Sequence, residues 1–414
     1  MGVRSQRFVF GNRTLNTLAP RARKHILAVC CTLHGIQDGL SAALYVILPT
    51  LAEAFGMNYA QVGVIRAVKN IAMGLFELPS GVLSERLGER TLLVFGLLCS
   101  GCGYVALSLS PSIVAVALSL FVVGLGSAFQ HALSSAIVSK TYQGAGSRTA
   151  LGTYNSAGDT GKLIFTGFYS LAIGMGIAWQ GVVTGFGLIG IAGAVLLFFV
   201  LRRMQVGARP TADVRAQIAA EGGGWGIRDR RGFTALAVIV FLDIAVQSGF
   251  LTFLAFLMLE KQVPAALAAF AVVLTLGGGI FGKVGCGFLA DRIGVRRSLV
   301  LVECLTAVGI IAVLLAPTLI AFVLLPVLGL VLQGSSSITY ATVSDLVSAE
   351  RRSRGFAVIY SVASAASIVG PIIFGIVGND FGLAVAMVSM AVIVLLPLPL
   401  IGLLRPPMVG QPSG

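Results

Sequence analysis

Gly81-Val82-Leu83-Ser84-Glu85-Arg86-Leu87-Gly88-Glu89-Arg90 is a short charged turn between two long apolar stretches, and it returns as Gly287-Phe288-Leu289-Ala290-Asp291-Arg292-Ile293-Gly294-Val295-Arg296-Arg297. The offset is 294 − 88 = 206 residues, close to half of the 414-residue chain. A motif repeated at half-length is the mark of an internal duplication. The glycines let the chain turn sharply between closely packed helices. The acid can face the positive end of a neighbouring helix, and the arginines stay at a membrane surface.

Outward from this turn the chain is apolar almost everywhere. Hydrophobic residues make up 57% and charged residues 11%, with a mean hydropathy of +0.95. Serial apolar runs of about 20 residues are membrane helices, not the core of a soluble domain. Twelve such segments are expected, at 25–52, 59–83, 91–109, 112–139, 149–174, 178–201, 232–258, 264–289, 298–316, 318–346, 355–378 and 382–404. The expected fold class is therefore an all-α membrane protein of two six-helix repeats. Its parts are a basic tail (1–24), a six-helix bundle (25–201), a linker (202–231), a second six-helix bundle (232–404) and a short tail (405–414). One surface helix is expected in the linker near Ala212–Ala220. The first apolar run is too long for a signal peptide, and no small-residue cleavage site follows it. The six cysteines, including the Cys99-x-x-Cys102 pair, fall in apolar segments, where packing is the expected role and no disulfide is expected.

The net charge of +13 suggests nucleic acid in a soluble chain, but its distribution argues otherwise. The tails and the even-numbered connections hold 24 lysines and arginines, whereas the odd-numbered connections hold only Lys261. By the positive-inside rule both termini are cytoplasmic. The asymmetry absorbs the excess charge and leaves no need for a nucleic-acid partner.

Two six-helix halves, each carrying G-x-L-x-[DE]-R-x-G-x-R after its second helix, resemble the major facilitator superfamily. Glu85 stands where that family usually has Asp. Ser147-Arg148 and Ser353-Arg354 repeat at the same offset of 206. His34-x-x-x-Asp38, Pro49, Phe55, Gln61-Val62-Gly63, Gly124-x-Gly126-Ser127, His131 and Ser134-Ser135 resemble its fosmidomycin-resistance branch, whose members export drugs in exchange for protons. Four features depart from the pattern. Leu133 and Ala136 replace that branch's acid and base around the helix-4 histidine. Leu120 stands about where the general helix-4 arginine would be, and helix 5 has Gly158-Asp159-Thr160-Gly161-Lys162 in place of the antiporter Gly-Pro. The resemblance implies alternating access, with helices 1, 4, 7 and 10 lining a central cavity.

Ionisable residues inside a membrane segment are candidate sites because each is costly in hydrocarbon. His34 and Asp38 share a face one turn apart, and Asp243 is the counterpart of Asp38 in the second half. These three, with Asp159, are the proton-coupling candidates. Each acid could instead bond a neighbouring hydroxyl and fix packing. Arg66, Lys69, Asn70 and Glu77 form one polar stripe on helix 2; Arg66 either snorkels to the outer surface or faces the cavity. Asp159 and Lys162 stand at i and i+3 and can pair. Arg66, Lys69, Asn70, His131 and Lys162 are the substrate-binding candidates; His131 could equally be a hydrogen-bonded packing residue. Glu77 and Lys283, also 206 apart, are an acid and a base at equivalent places, which suggests a gate. Glu85, Arg86, Asp291 and Arg292 complete the gate by resemblance. Glu303 is expected within reach of the cytoplasmic surface.

No phosphate-binding loop is present, so ATP is not the energy source. Three histidines without a His/Cys cluster in sequence argue against a metal, and no cofactor or catalytic residue is expected. The expected function is secondary transport of a small anionic or zwitterionic solute by proton-coupled efflux through the cell membrane, with the chain a monomer. The alternatives are proton-coupled uptake of an organic anion, or a membrane assembly protein that does not transport. The partners are substrate, protons and lipid.

Overall fold

The computed structural model describes residues 20–142, 146–208, 227–347 and 352–404. The helices in chain order are α1 (Pro20–Phe55), α2 (Tyr59–Leu87), α3 (Glu89–Ser108), α4 (Ile113–Ala128), α5 (His131–Thr141), α6 (Gly146–Gly174) and α7 (Trp179–Met204). After the linker come α8 (Arg230–Glu260), α9 (Ala265–Ile293), α10 (Val295–Leu315), α11 (Thr318–Leu346), α12 (Arg352–Phe381), α13 (Leu383–Ile393) and α14 (Leu398–Ile401). The stretch near Ala212–Ala220 lies outside the described residues.

These helices fall on the twelve apolar runs, with α4 and α5 sharing one and α13 and α14 another. Among the described residues, ten spans are long and apolar enough to cross a membrane. The remaining two runs are α2 and α6, whose apolar character is broken by Arg66, Lys69 and Glu77 and by Asp159 and Lys162. Large apolar side chains such as Leu75, Phe199, Phe281 and Leu319 are exposed, as lipid-facing residues are when the surrounding solvent is itself apolar.

Of the motif glycines, Gly88 and Gly294 make the turns, whereas Gly81 and Gly287 lie within α2 and α9. Gly88 joins α2 to α3 at φ +83°, ψ 149°, and Gly294 joins α9 to α10 at φ +85°, ψ 153°. Only glycine occupies that region of backbone space without strain. Two further left-handed pairs stand at the same separation: Gly56 with Gln262, both at φ +62°, and Gly176 with Gly382, at +76° and +91°.

The chain forms two compact units. Unit 1 comprises Met1–Leu44, Val68–Phe168 and Met175–Gly223; unit 2 comprises Tyr45–Ala67, Tyr169–Gly174 and Gly224–Gly414. In unit 1, α3 packs along α4 and α7. In unit 2, α9 lies along α11, and α8 along α12. The α9–α11 contact is backbone on backbone. A Cβ on Gly278 would strike the carbonyl of Pro326, and one on Gly282 the carbonyl of Leu330. Close approach of this kind supplies the van der Waals attraction that replaces the hydrophobic effect between helices in lipid.

Candidate functional site

The polar centre of unit 1 is built from three segments. α1 carries His34 and Asp38 on adjacent turns. α6 carries Tyr154, Gly158 and Lys162 at four-residue spacing, hence on one face, with Asp159 beside them. The third segment is the expected helix 4, which runs on through α4 and α5 with right-handed helical backbone at the two residues between them. Its backbone tightens at Phe129–Gln130, where the Gln130 N–H bonds the Ser127 carbonyl at 3.2 Å, and His131 opens α5.

Asp38 is the hub. Its Oδ2 lies 3.2 Å from Lys162 Nζ and 3.4 Å from His34 Nε2, while its Oδ1 lies 3.5 Å from His131 Nε2. Lys162 also donates to Asp159 Oδ1 at 3.0 Å. His34 stacks on the Tyr154 ring at 4.0 Å and meets the His131 ring edge-on at 5.2 Å. Gly158 makes the room: a Cβ there would stand 2.7 Å from His34 Cε1 and 2.9 Å from Asp38 Oδ2. His34, Asp38 and Asp159 are buried, whereas the His131 side chain is 45% exposed and is the open edge of the group. Just along α1, Gln37 donates to Ser100 at 2.8 Å and Ser127 at 2.9 Å, which ties α1 to α3 and α4.

His34 turns both ring nitrogens toward acceptors. Nδ1 is 2.8 Å from the Tyr154 carbonyl, an acceptor, so Nδ1 carries hydrogen and donates. A neutral ring would then turn the bare lone pair of Nε2 toward a carboxylate. The contact is attractive only when one more proton sits on Nε2 or on Asp38. The fixed charges nearby are Asp38 and Asp159 against Lys162 and Lys69, and the last of these acts through space on His131. They cancel while both histidines are neutral. One added proton would make this set of groups net positive.

His34, His131 and Asp38 present ligand atoms within 4.8 Å of one another, so the structure assembles a cluster that sequence spacing did not show. The Lys162 ammonium lies 3.2 Å from the same carboxylate.

Other expected residues are placed differently. Lys69 and Asn70 are buried on α2 in unit 1. Arg66 belongs to unit 2, where it is buried with its guanidinium 4.4 Å from the Tyr45 ring centroid rather than snorkelling out. Asp243 is buried on α8 and accepts from Ser335 Oγ at 2.8 Å. Glu77 and Lys283 are each half-buried, in units 1 and 2 respectively. Asp291 and Arg292 are exposed, with the Arg292 guanidinium 4.5 Å from the Phe288 ring centroid. The side chains of Glu85 and Arg86 lie outside the described residues. Glu303 requires a correction: it does not reach the surface but is fully buried, because α10 turns that face onto its neighbours. Sequence reasoning gave no role to Tyr154, Gly158 or Gln37. The signal available for Gly158 was a small residue directly before the Asp159–Lys162 pair.

The sequence profile of the Major Facilitator Superfamily matches residues 28–284 and again 236–414. The chain belongs to the major facilitator superfamily. Among curated superfamily members it is 24% identical over 405 residues to the uncharacterized MFS-type transporter YfnC of Bacillus subtilis (strain 168), covering 92% of this chain and 90% of that one. It is 34% identical over 164 residues to the class G tetracycline resistance protein of Vibrio anguillarum, 39% of each chain. It is 23% identical over 433 residues to the 4-hydroxybenzoate transporter PcaK of Acinetobacter baylyi (strain ATCC 33305 / BD413 / ADP1), covering 94% and 93%. The fold matches a bacterial homolog of the human lysosomal transporter Spinster, with a TM-score of 0.79, 16% identity and coverage of 94% and 97%. As a superfamily member the chain is a multi-pass membrane transporter of small molecules, and superfamily transporters are not enzymes.

Proposed function

We propose that this protein is a proton-coupled secondary transporter of a small organic anion, working by alternating access around the Asp38 group. The observation that carries the reading is the charge balance of that group. Asp38, Asp159, Lys69 and Lys162 cancel, and the His34–Asp38 contact asks for a proton. Proton and anion then enter together, and neither is comfortable in a dry site without the other. Asp38 and His34 take the proton, with Asp159 as the counter-charge that Lys162 leaves or rejoins. Lys162, His131 and Lys69 bind the anion, with Asn70 contributing on α2. Joint entry favours cotransport down the proton gradient, hence uptake. The name of the 4-hydroxybenzoate transporter among the relatives agrees with a carboxylate.

Efflux by exchange is the second reading, and two observations favour it. One is the sequence likeness to the fosmidomycin-resistance branch; the other is the 34% identical segment shared with a tetracycline resistance protein.

The molecule in this reading is two six-helix repeats with both termini in the cytoplasm, embedded in the cell membrane as a monomer. Support comes from the 206-residue offset, which recurs in the motif and in three pairs of left-handed backbone positions. The basic residues divide 24 to one between the two faces. Glu77 with Lys283, and Glu85 and Arg86 with Asp291 and Arg292, form the cytoplasmic gate of this scheme.

The test is flux in liposomes under an imposed pH gradient, with 4-hydroxybenzoate and glucuronate as probes. Accumulation toward the alkaline side, abolished by Asp38→Asn, is the expected result. Movement only toward the acid side selects efflux. Flux indifferent to the gradient overturns proton coupling.

A further inference from the structure

Unit 2 holds an acid pair of its own, which the reading above does not use. Asp243 on α8 and Glu303 on α10 interact through space. α11 packs on both of those helices and contributes Ser335, whose hydroxyl donates to Asp243 Oδ2 at 2.8 Å. Asp243 is buried. Glu303 is 0% exposed, and neither of its carboxylate oxygens has a hydrogen-bond partner.

The surroundings offer little to hold two negative charges. Besides Asp243, the group acting on Glu303 is the neighbouring Cys304 thiol. Among the described side chains, the charges on the packed helices stand mostly at helix ends: Arg230, Arg231 and Glu260 on α8, Asp291 and Arg292 on α9, Arg296 and Arg297 on α10, Asp345 on α11 and Asp380 on α12. Lys283 lies further in along α9 and has contacts of its own. An unpaired buried carboxylate costs several kcal/mol, and a second one beside it adds repulsion. One shared proton removes both costs. It leaves one negative charge, which the Ser335 hydroxyl can serve.

We propose that Asp243 and Glu303 form a proton-binding site in unit 2, holding one exchangeable proton on Glu303 while the Asp243 carboxylate is served by the Ser335 hydroxyl. The exchange is a simple transfer: a hydronium ion gives its proton to the pair and leaves as water. Because Glu303 is closed off in this structure, exchange requires α8, α10 or α11 to shift. The site goes beyond the Asp38 group and does not depend on what the transporter carries.

Infrared spectroscopy of the liposome-embedded protein tests this through the C=O band of protonated carboxyls. At neutral pH the wild type should show such a band. Glu303→Gln should remove it, Asp243→Asn should shift it, and Asp38→Asn should leave it in place. Ser335→Ala keeps both acids, so it reports on the pair even if an acid variant fails to fold; it should shift the band by removing the Ser335 donor to Asp243. In D2O the band should move slowly, and faster when a ligand drives the transport cycle. Identical spectra for wild type and Glu303→Gln, with Ser335→Ala unchanged, would overturn the proposal. So would a band that fades when sodium chloride replaces choline chloride at equal ionic strength, since the site would then bind a metal cation. Because the readout needs no substrate, it can fail while anion transport stands, and the reverse.

Discussion

Gly158 decides whether the Asp38 group can exist. Two effects compete in Gly158→Ala. Alanine is the better helix former by about 1 kcal/mol. Its Cβ would press to 2.7 Å from His34 and 2.9 Å from Asp38, and overpacking of that kind costs roughly 1–3 kcal/mol. The contact should win. We expect a protein that inserts and folds, loses a small part of its thermal stability, and transports poorly because the His34–Asp38 contact is pushed apart; proteoliposome flux beside a melting curve checks it. Such positions were the least legible in the sequence. The His34–Asp38 and Asp159–Lys162 pairs could be read because each lies within one turn of one helix. The contacts of Asp38 with His131 and with Lys162 join residues 131 − 38 = 93 and 162 − 38 = 124 apart, and no local periodicity encodes them. Glu303 misled for a related reason: counting from the charged end of α10 gives its depth but not which way its face points.

At the scale of elements, the turns between α2 and α3 and between α9 and α10 are fixed by one residue each. A Cβ on Gly294 would meet nothing within 4 Å, so any penalty at that position is torsional alone. Gly294→Ala should cost about 1–3 kcal/mol, the range for a residue forced into a glycine-only region. Thermal unfolding in detergent is the check; an unchanged midpoint would mean the turn relaxes without effort. The helices themselves were legible because twenty-residue apolar runs leave few alternatives in lipid. The tightened turn at Phe129–Gln130 was not, since neither proline nor glycine occupies those positions. There the Gln130 side chain donates to the Tyr154 hydroxyl at 3.3 Å.

On the scale of the whole molecule, the superfamily fold supplies a transporter, and the polar groups within it must say what is carried. A carrier with no use for protons has no reason to keep a half-open histidine beside a buried acid. If proton and anion share the site, anion affinity falls as pH rises, because the site gains its positive charge only with the proton. The most direct measurement is calorimetry of detergent-solubilised protein, titrated with 4-hydroxybenzoate and glucuronate in buffers of different ionisation heat. The heat difference counts protons taken up with the ligand. A proton taken up with each bound anion by the wild type, and none by Asp38→Asn, is the predicted result. Binding without proton uptake, or uptake that survives Asp38→Asn, would contradict it.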